Sequence, residues 1–205
     1  PWKIAPAAPS GACSSRGGGG PLKVEPPFVD CLFSMPPDSV SSRILGIDPG
    51  LNITGYGVLE RRCGRLEVLE AGVIRGKSRG SLTGRLVEIH QGVCEVIAAL
   101  KPTAVALEEL YSHYARPRTA ILMGHARGVI CLAAALAGVP VSSYSATQVK
   151  RILTGAGRAS KAQVQRAIQH ELRLTQVPDP PDVADALALA ICHHYLFQKQ
   201  SLLSR

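Results

Sequence analysis

The chain has no C-x-x-C pair. Its cysteines, at positions 13, 31, 63, 94, 131 and 192, are too scattered for a zinc ribbon or a disulfide framework. Cys94, Cys131 and Cys192 fall inside apolar helical patterns as small buried residues, and a reducing cytoplasm fits that usage. No unbroken run of about 18 or more apolar residues occurs, so the sequence offers no membrane span. The first 42 residues lack the continuous apolar core of a secretory signal, and they carry acids that a transit peptide normally avoids. His193 and His194 follow Cys192, but consecutive residues point to different helix faces and no second ligand pair stands at useful spacing. No zinc site is assigned there.

What is present is a basic chain of 205 residues, 46% of them hydrophobic, long enough for one sizeable core. The formal charge is +8. Lys3, Arg16 and Lys23 balance Glu25, Asp30 and Asp38, so residues 1–42 are neutral and the whole excess lies in residues 43–205. A basic domain with isolated carboxylates suggests a nucleic-acid partner more than a membrane. Residues 1–42 are rich in Pro, Gly, Ser and Ala, with Gly17 to Gly20 in a row, and read as a disordered leader. Met35 stands just before the first strand as a candidate start. The ordered domain is expected over 43–198, with 199–205 as a C-terminal tail.

Strands are expected at Arg43 to Asp48, Thr54 to Glu60 and Leu66 to Ile74, a meander turned at Gly64. A helix follows from Ser81 to Leu100, with Leu82, Leu86, Ile89, Val93, Val96, Ile97 and Leu100 along one stripe. Thr103 to Leu107 is a short apolar strand running into Glu108 and Glu109, and Tyr111 to Arg118 a loop. The spacing then predicts a helix over 119–137, a strand over 139–144, a helix capped by Ser145, a flexible loop over 154–159, a helix capped by Ser160, and a last helix from Asp182 to Gln198. This order predicts an α/β fold, a mixed sheet of five strands with helices on both faces.

Acids stand at the ends of these elements. Asp48 ends the first strand, ahead of a Pro49-Gly50 step that suits a type II turn. Glu108 ends the fourth strand, and Asp182 and Asp185 open the last helix three positions apart, on one face. Acids in a first helical turn are also favoured by the helix dipole alone, but the dipole does not explain two more at strand ends. Gathered in one pocket, four carboxylates could not all ionise without a counter-charge. An all-oxygen set suits Mg²⁺ or Mn²⁺. Two such ions about 3.5–4 Å apart activate a water and stabilise a leaving oxygen in phosphodiester hydrolysis. Basic and aromatic residues interleave at Tyr111, His113, Tyr114, Arg116 and Arg118, a composition that holds phosphates and stacks an unpaired base. Arg151 and Arg158 are further candidate phosphate clamps.

Taken together, Gly46-Ile-Asp-Pro-Gly50, Thr54-Gly-Tyr-Gly57, Leu107-Glu108, Ala126-Arg-Gly-Val129, Gln148-Val-Lys150, Lys161-Ala-Gln-Val-Gln165 and Asp182-Val-Ala-Asp-Ala-Leu-Ala188 resemble the RuvC family of Holliday junction resolvases, over residues 43 to about 198. The resemblance implies an RNase H-like fold and a homodimer that cuts opposed strands of a four-way junction symmetrically. It implies two Mg²⁺ per active site, with Mn²⁺ able to substitute, held by Asp48, Glu108, Asp182 and Asp185 as catalytic acids. It selects Glu108 over Glu109, places Tyr111 against a base at the crossover, and assigns Lys150 and Lys161 to the DNA backbone near the scissile phosphate. It also implies dimerisation through the helix carrying Gly124 and Gly128, work beside the branch-migration proteins RuvA and RuvB, and a bacterial cytoplasmic location. The competing readings are a junction-binding protein without catalysis and another RNase H-like nuclease.

Overall fold

The computed structural model describes residues 42–62, 64–76, 80–110 and 117–203. The leader expected over 1–42 lies outside these residues except for Ser42, and so do Tyr111, His113, Tyr114 and Arg116. The elements run β1 (Arg43–Asp48), β2 (Ile53–Arg62), β3 (Arg65–Arg75), α1 (Leu82–Leu100), β4 (Ala104–Glu108), α2 (Pro117–Leu136), β5 (Val141–Tyr144), α3 (Ala146–Thr154), α4 (Lys161–Glu171) and α5 (Pro181–Leu203). The sheet order is β3-β2-β1-β4-β5. β1, β2 and β3 pair antiparallel as the expected meander, while β1 with β4 and β4 with β5 pair parallel.

β1 is central, and its alternation sorts the two faces. Leu45 and Ile47 point to a core shared with α1 and α2, whereas Ile44 points to a second core shared with α3, α4 and α5. Gly46 belongs to the α5 side. A Cβ there would lie 2.0 Å from the Ala186 carbonyl oxygen, and one at Gly55 would lie 2.1 Å from that of Asp182. Both glycines are therefore required by close approach: without side chains at these points, the backbone of α5 lies directly on β1 and β2.

Serine caps appear where the sequence places them, Ser145 on α3 and Ser160 on α4, the latter as a full capping box with Gln163, and Ser81, expected as the first helical residue, caps α1. Three local expectations change. The type II turn after Asp48 is not formed, because it needs a positive φ at Gly50 and Gly50 has none. Glycine is needed there for space, since a Cβ would meet the Ile53 carbonyl oxygen at 2.1 Å. The buried Thr54 hydroxyl closes the connection by donating to the Gly50 carbonyl at 2.7 Å. Next, α2 starts at Pro117, so Arg118 is helical; proline suits the first helical position because the N–H it lacks has no partner there anyway. Finally, α5 continues to Leu203, making residues 199–203 of the expected tail helical.

α2 passes a length-and-hydropathy test for a span while serving as a helix of the domain. Although no unbroken apolar run exists, Arg118–Leu136 averages a hydropathy of 1.6 and is long and apolar enough to cross a bilayer. In the fold one side of this helix is committed to the domain, with Ala126, Ile130, Ala133 and Ala134 at most 1% exposed.

A buried charge far from the carboxylate end of β1 shows how this fold treats a paired acid. Glu60 is 1% exposed, covered by two guanidinium groups where β1 and β2 begin and end. Arg43 donates from Nε at 2.9 Å and Arg62 also donates to it. The Arg43 hydrogen bond is the main reason its pKa lies below the usual carboxylate range.

Candidate active site

β1 and β4 are parallel neighbours with Ile47 opposite Leu107. Asp48 and Glu108 are the next residue on each strand, so two carboxylates leave adjacent strand ends side by side. Both follow the parity of Gly46 and Ala106, which face α5. Glu109 has the opposite parity; it is exposed, and its N–H donates to the Tyr144 carbonyl at 2.9 Å. The strand period therefore turns Glu108, and not Glu109, toward Asp48.

α5 supplies the other two acids. Its first turn lies against Gly55, which is paired with Asp48 in the sheet. Val183 and Leu187, 6% and 1% exposed, anchor the helix in the core. Asp182 and Asp185 are turned to the opposite side, toward the strand ends, and their charges both reach Asp48.

The electrostatics of this cluster are the reverse of those around Glu60. Asp48 is pushed up to about 7, first by burial, then by the charges of Glu108 and Asp185, a hydrogen bond with Glu108, and the charge of Asp182. Glu108 is raised as well, by burial first and also by Asp185, while its hydrogen bond with Asp48 and the charge of Lys150 pull the other way. Burial and mutual repulsion thus favour holding a proton between Asp48 and Glu108 as the pH falls toward neutrality. On the other side of the cluster, Lys161 Nζ lies 3.0 Å from Asp185 Oδ2. Among the described residues, no three His, Cys, Asp or Glu side chains converge tightly enough to hold one ion as they stand. The acids are gathered on one site, with Asp48 against Glu108 and Lys161 paired with Asp185. A set of oxygen donors that retains a proton near neutral pH has the charge and chemistry to take divalent cations in its place.

Of the basic residues singled out, Lys150 on α3 and Lys161 at the start of α4 both reach the acids. Arg151, Arg158 and Arg118 are exposed, and Arg151 lies against the loop at Gly157. Sequence reasoning assigned nothing to Arg127, yet its Nε donates to the Glu108 carbonyl at 3.2 Å and its Nη2 to Ser143 Oγ at 2.6 Å. Its only signal was its place inside the Ala126-Arg-Gly-Val129 motif. His193, given no role, is buried in a hydrogen bond with the Tyr144 hydroxyl at 2.8 Å and stacked on Phe197, and burial lowers its pKa.

Residues 44–193 match the family model for the crossover junction endodeoxyribonuclease RuvC. The chain belongs to the RuvC family. Among its relatives, RuvC of Rhodopirellula baltica is 59% identical over 156 residues, covering 76% of this chain and 88% of that one. RuvC of Moorella thermoacetica is 47% identical over 150 residues, 73% and 89% of the two chains. Thermus thermophilus RuvC in complex with Holliday junction substrate superposes with a TM-score of 0.74 at 34% identity, covering 78% of this chain and 96% of that one. The yeast mitochondrial Holliday junction resolvase, at 14% identity and a TM-score of 0.53, shares the fold. The RNase H-like architecture implied by the resemblance is the RuvC fold observed.

Proposed function

We propose that this RuvC-family chain is a crossover junction endodeoxyribonuclease that resolves four-way DNA junctions by paired hydrolysis of phosphodiester bonds. The observation that supports it most is the gathering of Asp48, Glu108, Asp182 and Asp185 at one end of the sheet, with Asp48 still protonated near neutral pH. These four are the catalytic acids and would hold two Mg²⁺ ions, with Mn²⁺ as a substitute. Bound there, such ions activate a water and stabilise the leaving 3′ oxygen. The chain's own groups do the rest. Asp48 and Glu108 give up their shared proton, and Lys161, released from Asp185, and Lys150 turn to the phosphates flanking the scissile bond. Arg116, Arg118, Arg151 and Arg158 carry the backbone farther out, and Tyr111 stacks on a base at the open crossover.

A second copy docks on α2. Ile121, Leu132 and Leu136 are 60%, 52% and 73% exposed on its outer side, and the space beyond Gly124 and Gly128 is open. An apolar stripe of this kind suits a two-fold partner, and a two-fold enzyme is the simplest match to a two-fold junction. RuvA and RuvB are the proposed co-workers, and the bacterial cytoplasm the site of action.

The test uses a synthetic four-way junction with wild type and Asp48→Asn in Mg²⁺. The variant is expected to bind the junction and not cut it. Undiminished cutting overturns the assignment of the acids, and a wild type that binds without cutting in Mg²⁺ or Mn²⁺ leaves a junction-binding protein.

A further inference from the structure

Arg127 lies where α2 turns from its packed side to its open side. At about 100° per residue, Ala126, Ile130, Ala133 and Ala134 form the side sunk in the core. Ile121, Gly124, Gly128 and Leu132 form a stripe opposite, and Arg127 stands on the flank between the two. Its side chain reaches inward to the end of β4. Nε donates to the main-chain carbonyl of Glu108 at 3.2 Å and Nη2 to the Ser143 hydroxyl on β5 at 2.6 Å. Among the described residues no carboxylate forms an ion pair with it. The guanidinium is thus used as a rigid two-pronged donor, a role for which its planar geometry is suited and a lysine's single flexible ammonium is not.

What it holds is specific. Glu108 is the last residue of β4, and its carboxylate lies against Asp48 at the end of the neighbouring strand. A strand end is free to fray, and fraying by one peptide would swing the carboxylate out of the cluster. The Glu109 N–H to Tyr144 bond and the Arg127 fork fix the peptide from two directions, one from β5 and one from α2.

We propose that Arg127 is a positioning residue for the acid site, holding the Glu108 main chain in register with β5 and α2 so that the Glu108 carboxylate can meet a divalent cation. This rests on the reading of the four acids as cation ligands. Groups that orient a ligating residue without touching the ion typically change metal affinity or activity about 10–100-fold when removed.

The test compares full-length wild type, Arg127→Gln and Arg127→Lys by Mn²⁺ titration calorimetry, melting temperature, junction binding in EDTA and single-turnover cutting in Mg²⁺. Arg127→Gln is expected to bind Mn²⁺ roughly 10–100-fold more weakly and to cut more slowly by a similar factor, with partial recovery at high Mg²⁺. Its junction affinity should stay within about two-fold, because phosphate contacts carry that affinity and the Arg127 guanidinium is already engaged on the Glu108 carbonyl and the Ser143 hydroxyl. Arg127→Lys keeps the charge but meets one acceptor at a time, so it should fall between the two; should Arg127→Gln not fold, it carries the test alone. Wild-type Mn²⁺ affinity in a folded variant overturns the proposal, as does a loss that merely follows the melting temperature across variants. If the wild type binds Mn²⁺ but cuts no junction, the resolvase reading fails while the Mn²⁺ comparison still decides the role of Arg127.

Discussion

Asp48→Asn should make the metal-free protein more stable at neutral pH. An acid whose pKa is raised on folding favours the folded state only while protonated. Its contribution is therefore complete below the unfolded value and is lost as pH rises through the folded one. For Asp48 that window runs from 3.8 to about 7. At about 1.36 kcal/mol per unit the full difference slightly exceeds 4 kcal/mol; because the site is partly open to water, it is discounted to about 2–4 kcal/mol. Asparagine keeps the shape and hydrogen-bonding capacity and removes the charge. For a domain of this size the gain corresponds to roughly 4–16 °C in melting temperature. The assay is a pair of thermal melts in EDTA, at pH 7.5 and pH 4.5. The variant should melt higher at pH 7.5, and most of that gap should close at pH 4.5. Mg²⁺ at pH 7.5 should then raise the wild-type melting temperature and leave the variant nearly unmoved. Equal melting of the two proteins at both pH values would refute the account of a site carrying more negative charge than it can keep.

Two further substitutions probe what surrounds the site. Arg43→Met leaves Glu60 with Arg62 alone and should cost about 1–2 kcal/mol in denaturant unfolding. The pKa of Glu60 is lowered, so its stabilisation is present above its unfolded value and lost as pH falls through the folded one; the difference between variant and wild type should shrink below about pH 4. Gly46→Ala places a methyl 2.0 Å from the Ala186 carbonyl, a backbone atom that cannot swing aside. The expected cost is about 3 kcal/mol or more, together with a raised Mg²⁺ requirement for cutting as α5 is pushed off β1; a neutral substitution would show that the close approach is not needed.

The large features were legible because each has a local physical cause. Ser145 and Ser160 cap helices through a hydrogen bond that serine makes wherever a helix begins there. Asp48 and Glu108 could be placed at strand ends because an apolar run stops at each. What escaped involved partners distant in the chain or one residue type serving two needs. Gly50 reads as a turn glycine, yet it is selected by the Ile53 carbonyl that crowds it. Pro117 reads as a loop residue beside Arg116 and Arg118, although proline is equally at home at the first position of a helix. Arg127 bonds to a main-chain carbonyl on another element, and a carbonyl leaves no trace in side-chain composition.

The pairing of Lys161 with Asp185 explains how such an acid cluster persists in a folded chain. Four carboxylates on adjacent strand ends and one helix turn would drive one another apart if all were ionised. The glycines at 46 and 55 remove the option of α5 moving away, since the helix backbone rests on the sheet itself. The charge must then be answered locally, by a proton between Asp48 and Glu108 and by the ammonium of Lys161 on Asp185. Both answers are reversible. A proton leaves near neutral pH, and an exposed lysine on a surface ion pair worth about 1 kcal/mol or less changes partner readily. The geometry that makes the metal-free site unfavourable is therefore the same geometry that lets a stronger counter-charge take it over.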